Sequence, residues 1–174
     1  MRNSSRIVVY TDGGARPNPG EAAFGLVIFI DGNIVKGHGE YLGVKKTNNH
    51  AEYQGIICGL REILTQLTFV EDENNRCRAS CTLYTDSELA VKQLNGQYDV
   101  KSADLLPLFT EALEIITEIK SYGVSVCIEH VLRSRNTLAD NLVRRARAAK
   151  NRVDMELSFQ IATNSTKSAK RSKS

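Results

Sequence analysis

The sequence predicts an α/β domain built on a mixed five-stranded sheet, and three observations carry that prediction. Three apolar, β-branched runs follow one another closely at 6–12, 22–30 and 33–44, the mark of an antiparallel meander. From Asn48 the apolar period changes to that of a helix. Strand-like and helical segments then alternate, which calls for parallel pairings made by right-handed crossovers. The order βββαβαβα and a sheet with helices on both faces follow.

RIVVYTD (6–12) is the first strand, and the GGARPNPG behind it reads as a turn. AAFGLVIFI (22–30) is the second strand. Asp31-Gly32-Asn33 is a hairpin signal, and NIVKGHGEYLGV (33–44) returns as the third strand. Ile56, Ile57, Leu60, Ile63, Leu64 and Leu67 form one stripe of a helix over 48–67, with Thr47 or Asn48 as its cap. FVEDENNRCRA (69–79) is polar and loop-like. CTLYTD (81–86) is the fourth strand, and the short helical run SELAVKQL follows it. After the connection NGQYDVKSAD, residues 104–123 form an amphipathic helix opened by Asp104, with Pro107 in its first turn and Gly123 at its close. VSVCIEHVL (124–132) is the fifth strand, and Asn136 caps a last helix, TLADNLVRRARAAK. After about residue 160 the chain turns to Ser, Thr, Lys, Asn and Ala without periodicity. The expected division is a domain over 1–152 and a disordered basic tail over 153–174.

Composition excludes several classes. The chain has 174 residues, 41% hydrophobic and 25% charged, which suits one globular domain able to bury a core without disulfides. No apolar run approaches the ~20 residues that span a bilayer. The N-terminal apolar stretch is too short for a signal peptide and is interrupted by Asp12. Net charge is only +3, but it is unevenly spread. Residues 1–132 hold 12 basic and 17 acidic side chains, whereas residues 133–152 hold seven basic ones against Asp140 alone. An acidic body ending in a basic segment points to a polyanionic partner. Cys58, Cys77, Cys81 and Cys127 form no CxxC pattern, so buried thiols, rather than a disulfide framework or a zinc site, are expected. That usage points to an intracellular protein.

One tripeptide occurs twice. Tyr10-Thr11-Asp12 ends the first strand and Tyr84-Thr85-Asp86 the fourth. If these strands are parallel neighbours, both carboxylates leave the same sheet edge, where open α/β sheets place ligands. A single such Asp would read as a turn cap; two in a repeated tripeptide weaken that reading. Glu52 lies early in the first helix on the side of Ile56 and Ile63, so it points toward the sheet. Asp140 opens the last helix between Ala139 and Leu142. Alone, each of these two acids also reads as a helix N-terminal charge.

TDGGARPNPG, TNNHAEY, YTDSELAV and RNTLADNLV, in that order, resemble the type 1 ribonuclease H family. The likeness runs from about Arg6 to about Lys150 and is similar to archaeal, plant and some bacterial members. It implies a ribonuclease H-like fold and an endonuclease that hydrolyses the RNA strand of RNA–DNA hybrids, leaving 5′-phosphate and 3′-hydroxyl ends. It implies two Mg²⁺ ions, with Mn²⁺ as a substitute, held by Asp12, Glu52, Asp86 and Asp140. On that resemblance Asp12 would bridge the ions, Asp140 would complete the one that activates water, and Glu52 and Asp86 would complete the other. Hard divalent ions take oxygen ligands, so a carboxylate cluster suits them. The resemblance further implies substrate contacts from Gly13, Thr47, Asn48, Asn49 and Ser87, with Lys101 and Arg135 as phosphate contacts. Helix capping by Thr47 and Asn48 is compatible with that role.

Two departures from the family stand out. The stretch Arg133-Ser134-Arg135-Asn136 lacks the loop His of many members, and His130 reads instead as a half-buried strand residue. The connection 95–104 lacks the inserted basic helix, with Lys101 its one cation. The Arg-rich last helix or the tail is expected to take over that grip. The expected partner is an RNA–DNA hybrid, with no membrane association and a monomeric chain. The competing readings are another two-metal nuclease on the same fold and a catalytically silent nucleic-acid-binding domain.

Overall fold

A computed structural model describes residues 4–68 and 79–156. Strands β1 (Ser5–Arg16), β2 (Gly20–Ile30) and β3 (Asn33–Lys46) form the meander. Helix α1 (Asn48–Leu67) leads to β4 (Ala79–Thr85), then α2 (Glu88–Leu94), α3 (Leu106–Ser121) and β5 (Val126–His130). A 3₁₀ turn at Arg133–Arg135 precedes α4 (Thr137–Ala149), and β6 (Val153–Asp154) ends the described chain.

The sheet order is β5-β4-β1-β2-β3-β6. β1–β2 and β2–β3 are antiparallel, and β1–β4 and β4–β5 are parallel, as the strand–helix alternation requires. The sheet therefore has six strands where the sequence predicts five. The sixth is only two residues long, too short for any period, and pairs with β3 through His38↔Asp154 and Gly39↔Val153. The tail beyond residue 156 and most of the polar loop, 69–78, lie outside the described residues.

Three local expectations are corrected. β1 does not end at Asp12: Gly13, Gly14 and Ala15 continue the ladder opposite Phe24, Ala23 and Ala22, so the turn shrinks to the prolines. α3 opens at Leu106 rather than Asp104, and its N-cap residue, Leu105, makes no side-chain cap bond. Asn136 occupies the N-cap position of α4 but does not cap it; its amide instead donates to the Thr11 carbonyl at 2.8 Å. The Asp31-Gly32 hairpin holds, with φ of 51° and 82°, the positive pair a two-residue loop needs.

The larger core lies between one sheet face and α1 with α3. Ile7, Val9, Leu26 and Ile28 of the sheet meet Ile56, Leu60, Ile63 and Ile119 there, all fully buried. Each such side chain contributes about 1.5–3 kcal/mol over its exposed state. The opposite face receives α4, whose Val143 and Ala146 pack on Ala23. Cys127 is exposed rather than buried, because β5 is an edge strand and alternate side chains there face outward. His130 of the same strand is also exposed, against the expectation of partial burial.

Candidate metal and active site

The site forms where β1 and β4 run side by side. Their register pairs Tyr10 with Tyr84 and Thr11 with Thr85, so Asp12 and Asp86 follow at equivalent positions. Glu52 arrives from α1. Carboxylate oxygens of Asp12, Glu52 and Asp86 lie within 4.8 Å of one another. A Cβ on Gly13 would stand 2.3 Å from the backbone of Ala51 and Glu52, so only glycine lets α1 approach β1 this closely.

A pair of glycines does the same for α4. Gly25 is the register partner of Asp12, and Gly39 is the partner of Gly25. A Cβ on either would lie 2.5 Å from the Ala139 carbonyl oxygen or 2.4 Å from that of Leu142. The helix thus sits down on bare backbone and carries Asp140 to the edge of the cluster. Asp140 lines the same cavity of about 260 Å³ but stands outside the three-carboxylate group. Arg133 Nη2 and Arg144 Nε donate to its two oxygens at 3.3 and 3.1 Å.

The electrostatics are those of an acidic cluster short of counter-charge. Asp12 is only 5% exposed. Burial first, then the negative charge of Asp86, pushes its carboxyl up to about 8, although the Gly13 N–H donates to Asp12 Oδ1 at 2.9 Å. Glu52 is held well above the usual carboxylate range, by burial and then by Asp12 and Asp86; the Thr85 hydroxyl, 3.3 Å from Oε2, pulls the other way. Asp86 Oδ1 is buried with no hydrogen-bond partner. Oxygen donors this close, one of them orphaned, fit a hard divalent cation.

The remaining sequence-predicted residues divide. Gly13 and Asn48 line the cavity; Asn48 Oδ1 also accepts from the Ala15 N–H at 2.7 Å. Thr47 is the N-cap of α1, accepting from the His50 N–H at 3.1 Å, and Ser87 is the N-cap of α2. Asn49 is exposed beside them. Lys101 is exposed in the connection after α2 and does not line the cavity, and Arg135 lines the neighbouring one. Arg16 and Arg147, with Arg133 and Arg144, form the basic wall. The sequence assigns these four no individual role, although Arg144 lies four residues after Asp140, a spacing that puts both on one helix face. In the sequence Asn136 reads only as a cap, whereas in the fold it ties α4 to β1.

The mixed sheet, the helices on both faces and the carboxylates gathered at the β1–β4 edge define a ribonuclease H-like α/β protein. A family profile described as "Reverse transcriptase-like" matches residues 10–146. LC11-RNase H1, solved in complex with an RNA/DNA hybrid, is 34% identical and superposes with a TM-score of 0.72, covering 83% of this chain and 98% of that one. RNase H1 from the halophilic archaeon Halobacterium salinarum is 36% identical with a TM-score of 0.67, covering 81% of this chain and 96% of that one. A bifunctional protein of Mycobacterium tuberculosis is 33% identical over 138 residues, 79% of this chain; the chain spans 34% of that relative's length. The chain belongs to the type 1 ribonuclease H family.

Proposed function

We propose that the chain is an endonuclease that hydrolyses the RNA strand of RNA–DNA hybrids and leaves 5′-phosphate and 3′-hydroxyl ends. The observation that carries this reading is the Asp12–Glu52–Asp86 cluster, facing Asp140 across a cavity with an arginine wall. Mg²⁺, or Mn²⁺ in its place, would be held by Asp12, Glu52 and Asp86, with Asp12 and Asp140 completing a second site; such a pair supplies Lewis acidity toward the attacking water and the leaving oxygen.

The chain's own residues prepare that chemistry. Gly13 and the Gly25–Gly39 pair fix the distance between the two helices and the sheet, and so between the acids. Arg133 and Arg144 hold the Asp140 carboxylate in place. Arg16 and Arg147 line the cavity and would present guanidinium groups to a phosphodiester bound there. Asn48 faces the same space as a candidate contact to the ribose 2′-hydroxyl, the group that separates RNA from DNA. Thr47, Asn49 and Ser87, at the starts of α1 and α2, would meet the sugar–phosphate backbone. Lys101 and Arg135, both exposed, would contact phosphates farther from the cut.

All four acids come from one chain, which supports a monomeric unit. The exposed Cys127 thiol supports a reducing, intracellular setting. No helix among the described residues is long and apolar enough to cross a membrane. The reading is tested by incubating a hybrid labelled in its RNA strand with the protein and Mg²⁺, then analysing the new ends. Cleavage with 5′-phosphate ends, stopped by chelation, restored by Mg²⁺ and lost in Asp86→Asn, is expected. Undiminished cleavage by Asp86→Asn overturns the assignment.

A further inference from the structure

A second cavity, of about 370 Å³, lies on the α4 side of the sheet next to the carboxylate site. Its floor is aromatic. Tyr10 of β1 stacks on Tyr84 of β4 with centroids 5.0 Å apart and planes 24° apart, and Phe29 of β2 meets Tyr10 edge-on at 5.7 Å. These rings lie on the face opposite α1, because Val9 and Thr11, alternating with Tyr10, are the residues that touch α1 at Gly59. No helix covers them fully: all three are half-buried, and Leu138 at the cavity's edge is 44% exposed.

The rim is cationic. Arg6 and Arg135 line the cavity, both exposed, and neither guanidinium forms an ion pair among the described residues, although the Arg6 backbone N–H donates to Asp31 Oδ1 at 2.8 Å. The acids near that rim are Glu129, the register partner of Tyr84 in β5, and Asp31, whose carboxylate is taken up by the Arg6 backbone N–H. The cavity is also continuous in chemistry with the catalytic one. The 3₁₀ turn Arg133–Arg135 stands between them, with Arg133 in the catalytic cavity and Arg135 in the aromatic one. Tyr10 is two residues from Asp12 on the same strand face, about 7 Å along it.

We propose that this cavity binds a single-stranded extension of the nucleic acid held at the carboxylate site, with a base against the face of Tyr84 that Tyr10 leaves uncovered and phosphates on Arg135 and Arg6. The inference rests on the hybrid reading given above. Every base has a π-face and every linker a phosphate, so aromatic floors with unpaired arginines suit single strands, whereas paired bases hide their faces. Charge argues against the chain's own end as the occupant: residues 157–174 carry four basic and no acidic side chains, and would meet an arginine rim.

The test uses the full chain and four hybrids with a short unpaired extension on each strand end, compared with a blunt hybrid. KM for at least one tailed hybrid should fall about tenfold with kcat unchanged, the size of one stacked base. Arg6→Glu and Tyr84→Leu should remove that advantage and leave blunt-hybrid kinetics as they were. Separately, and without divalent ions, single-stranded oligo(dA) should quench the tyrosine emission of the wild type, and less so that of Tyr84→Leu. One KM for blunt and tailed hybrids, or an advantage that survives Arg6→Glu, overturns the inference. A blunt hybrid left uncut would fail the functional reading instead, and the quenching experiment would still judge the cavity.

Discussion

Asp12 concentrates the tension of the site. It is buried beside two other acids, and its carboxyl sits at about 8 against an ordinary 3.8. Between those values the folded, metal-free protein holds a proton that the unfolded chain has released, so stability falls as pH rises across that window. Asp12→Asn removes the cost. Its melting temperature in chelator at pH 8 should exceed that of the wild type by a few degrees, about 1 kcal/mol or more, while hybrid cleavage falls about 10³-fold. His38 has the opposite sign. It is 2% exposed, burial lowers its pKa below 6.5, and its Nε2 lies 3.8 Å from Cys58 Sγ. The folded state keeps it neutral, so its stabilisation is present above 6.5 and is lost as pH falls below that. Urea melts between pH 7 and 5 should therefore show a shallower loss for His38→Leu than for the wild type. The acids were legible in the sequence because they occur in ordered motifs; the burial of His38 was not, since it lies between glycines with no period to assign it a face.

At the scale of elements, two helices are fixed over the sheet by missing side chains. Gly25→Ala would press a methyl against the Ala139 carbonyl and the Leu142 side chain. A destabilisation of about 1–3 kcal/mol is expected from urea melts, together with a drop in kcat larger than that loss explains, because Asp140 moves with α4. Asn136→Ala leaves the Thr11 carbonyl without its buried donor and should cost about 1–3 kcal/mol by the same measurement. Long elements were readable because their apolar stripes repeat: α1 was placed at its observed bounds. What failed had a physical cause in each case. β6 is two residues long, and GGAR at the end of β1 has turn composition but pairs as strand because β2 continues opposite it, from Phe24 to Glu21. The glycines under α4 carry no pattern of their own; their meaning appears only once β1, β2 and β3 are in register.

For the whole molecule, the small net charge conceals an arrangement. Three acids of the body, Asp12, Glu52 and Asp86, meet at the β1–β4 edge, and Arg133, Arg144 and Arg147 of the last turn and helix wall the same cavity. On the proposed function that wall would hold a polyanion, so hybrid affinity should fall steeply with salt as counterions are released. Arg147→Ala should flatten the slope of log K against log salt by about one unit, measured by titration across salt concentrations. The central claim, that the cluster cuts RNA only when it is paired with DNA, is tested most directly by one panel. Labelled RNA–DNA hybrid, RNA duplex, DNA duplex and each single strand are incubated with the full chain in Mg²⁺, beside Asp12→Asn. Cleavage confined to the RNA strand of the hybrid, and absent in Asp12→Asn, is the expected result; cleavage of the DNA duplex, or a hybrid cut equally well by Asp12→Asn, would contradict the claim.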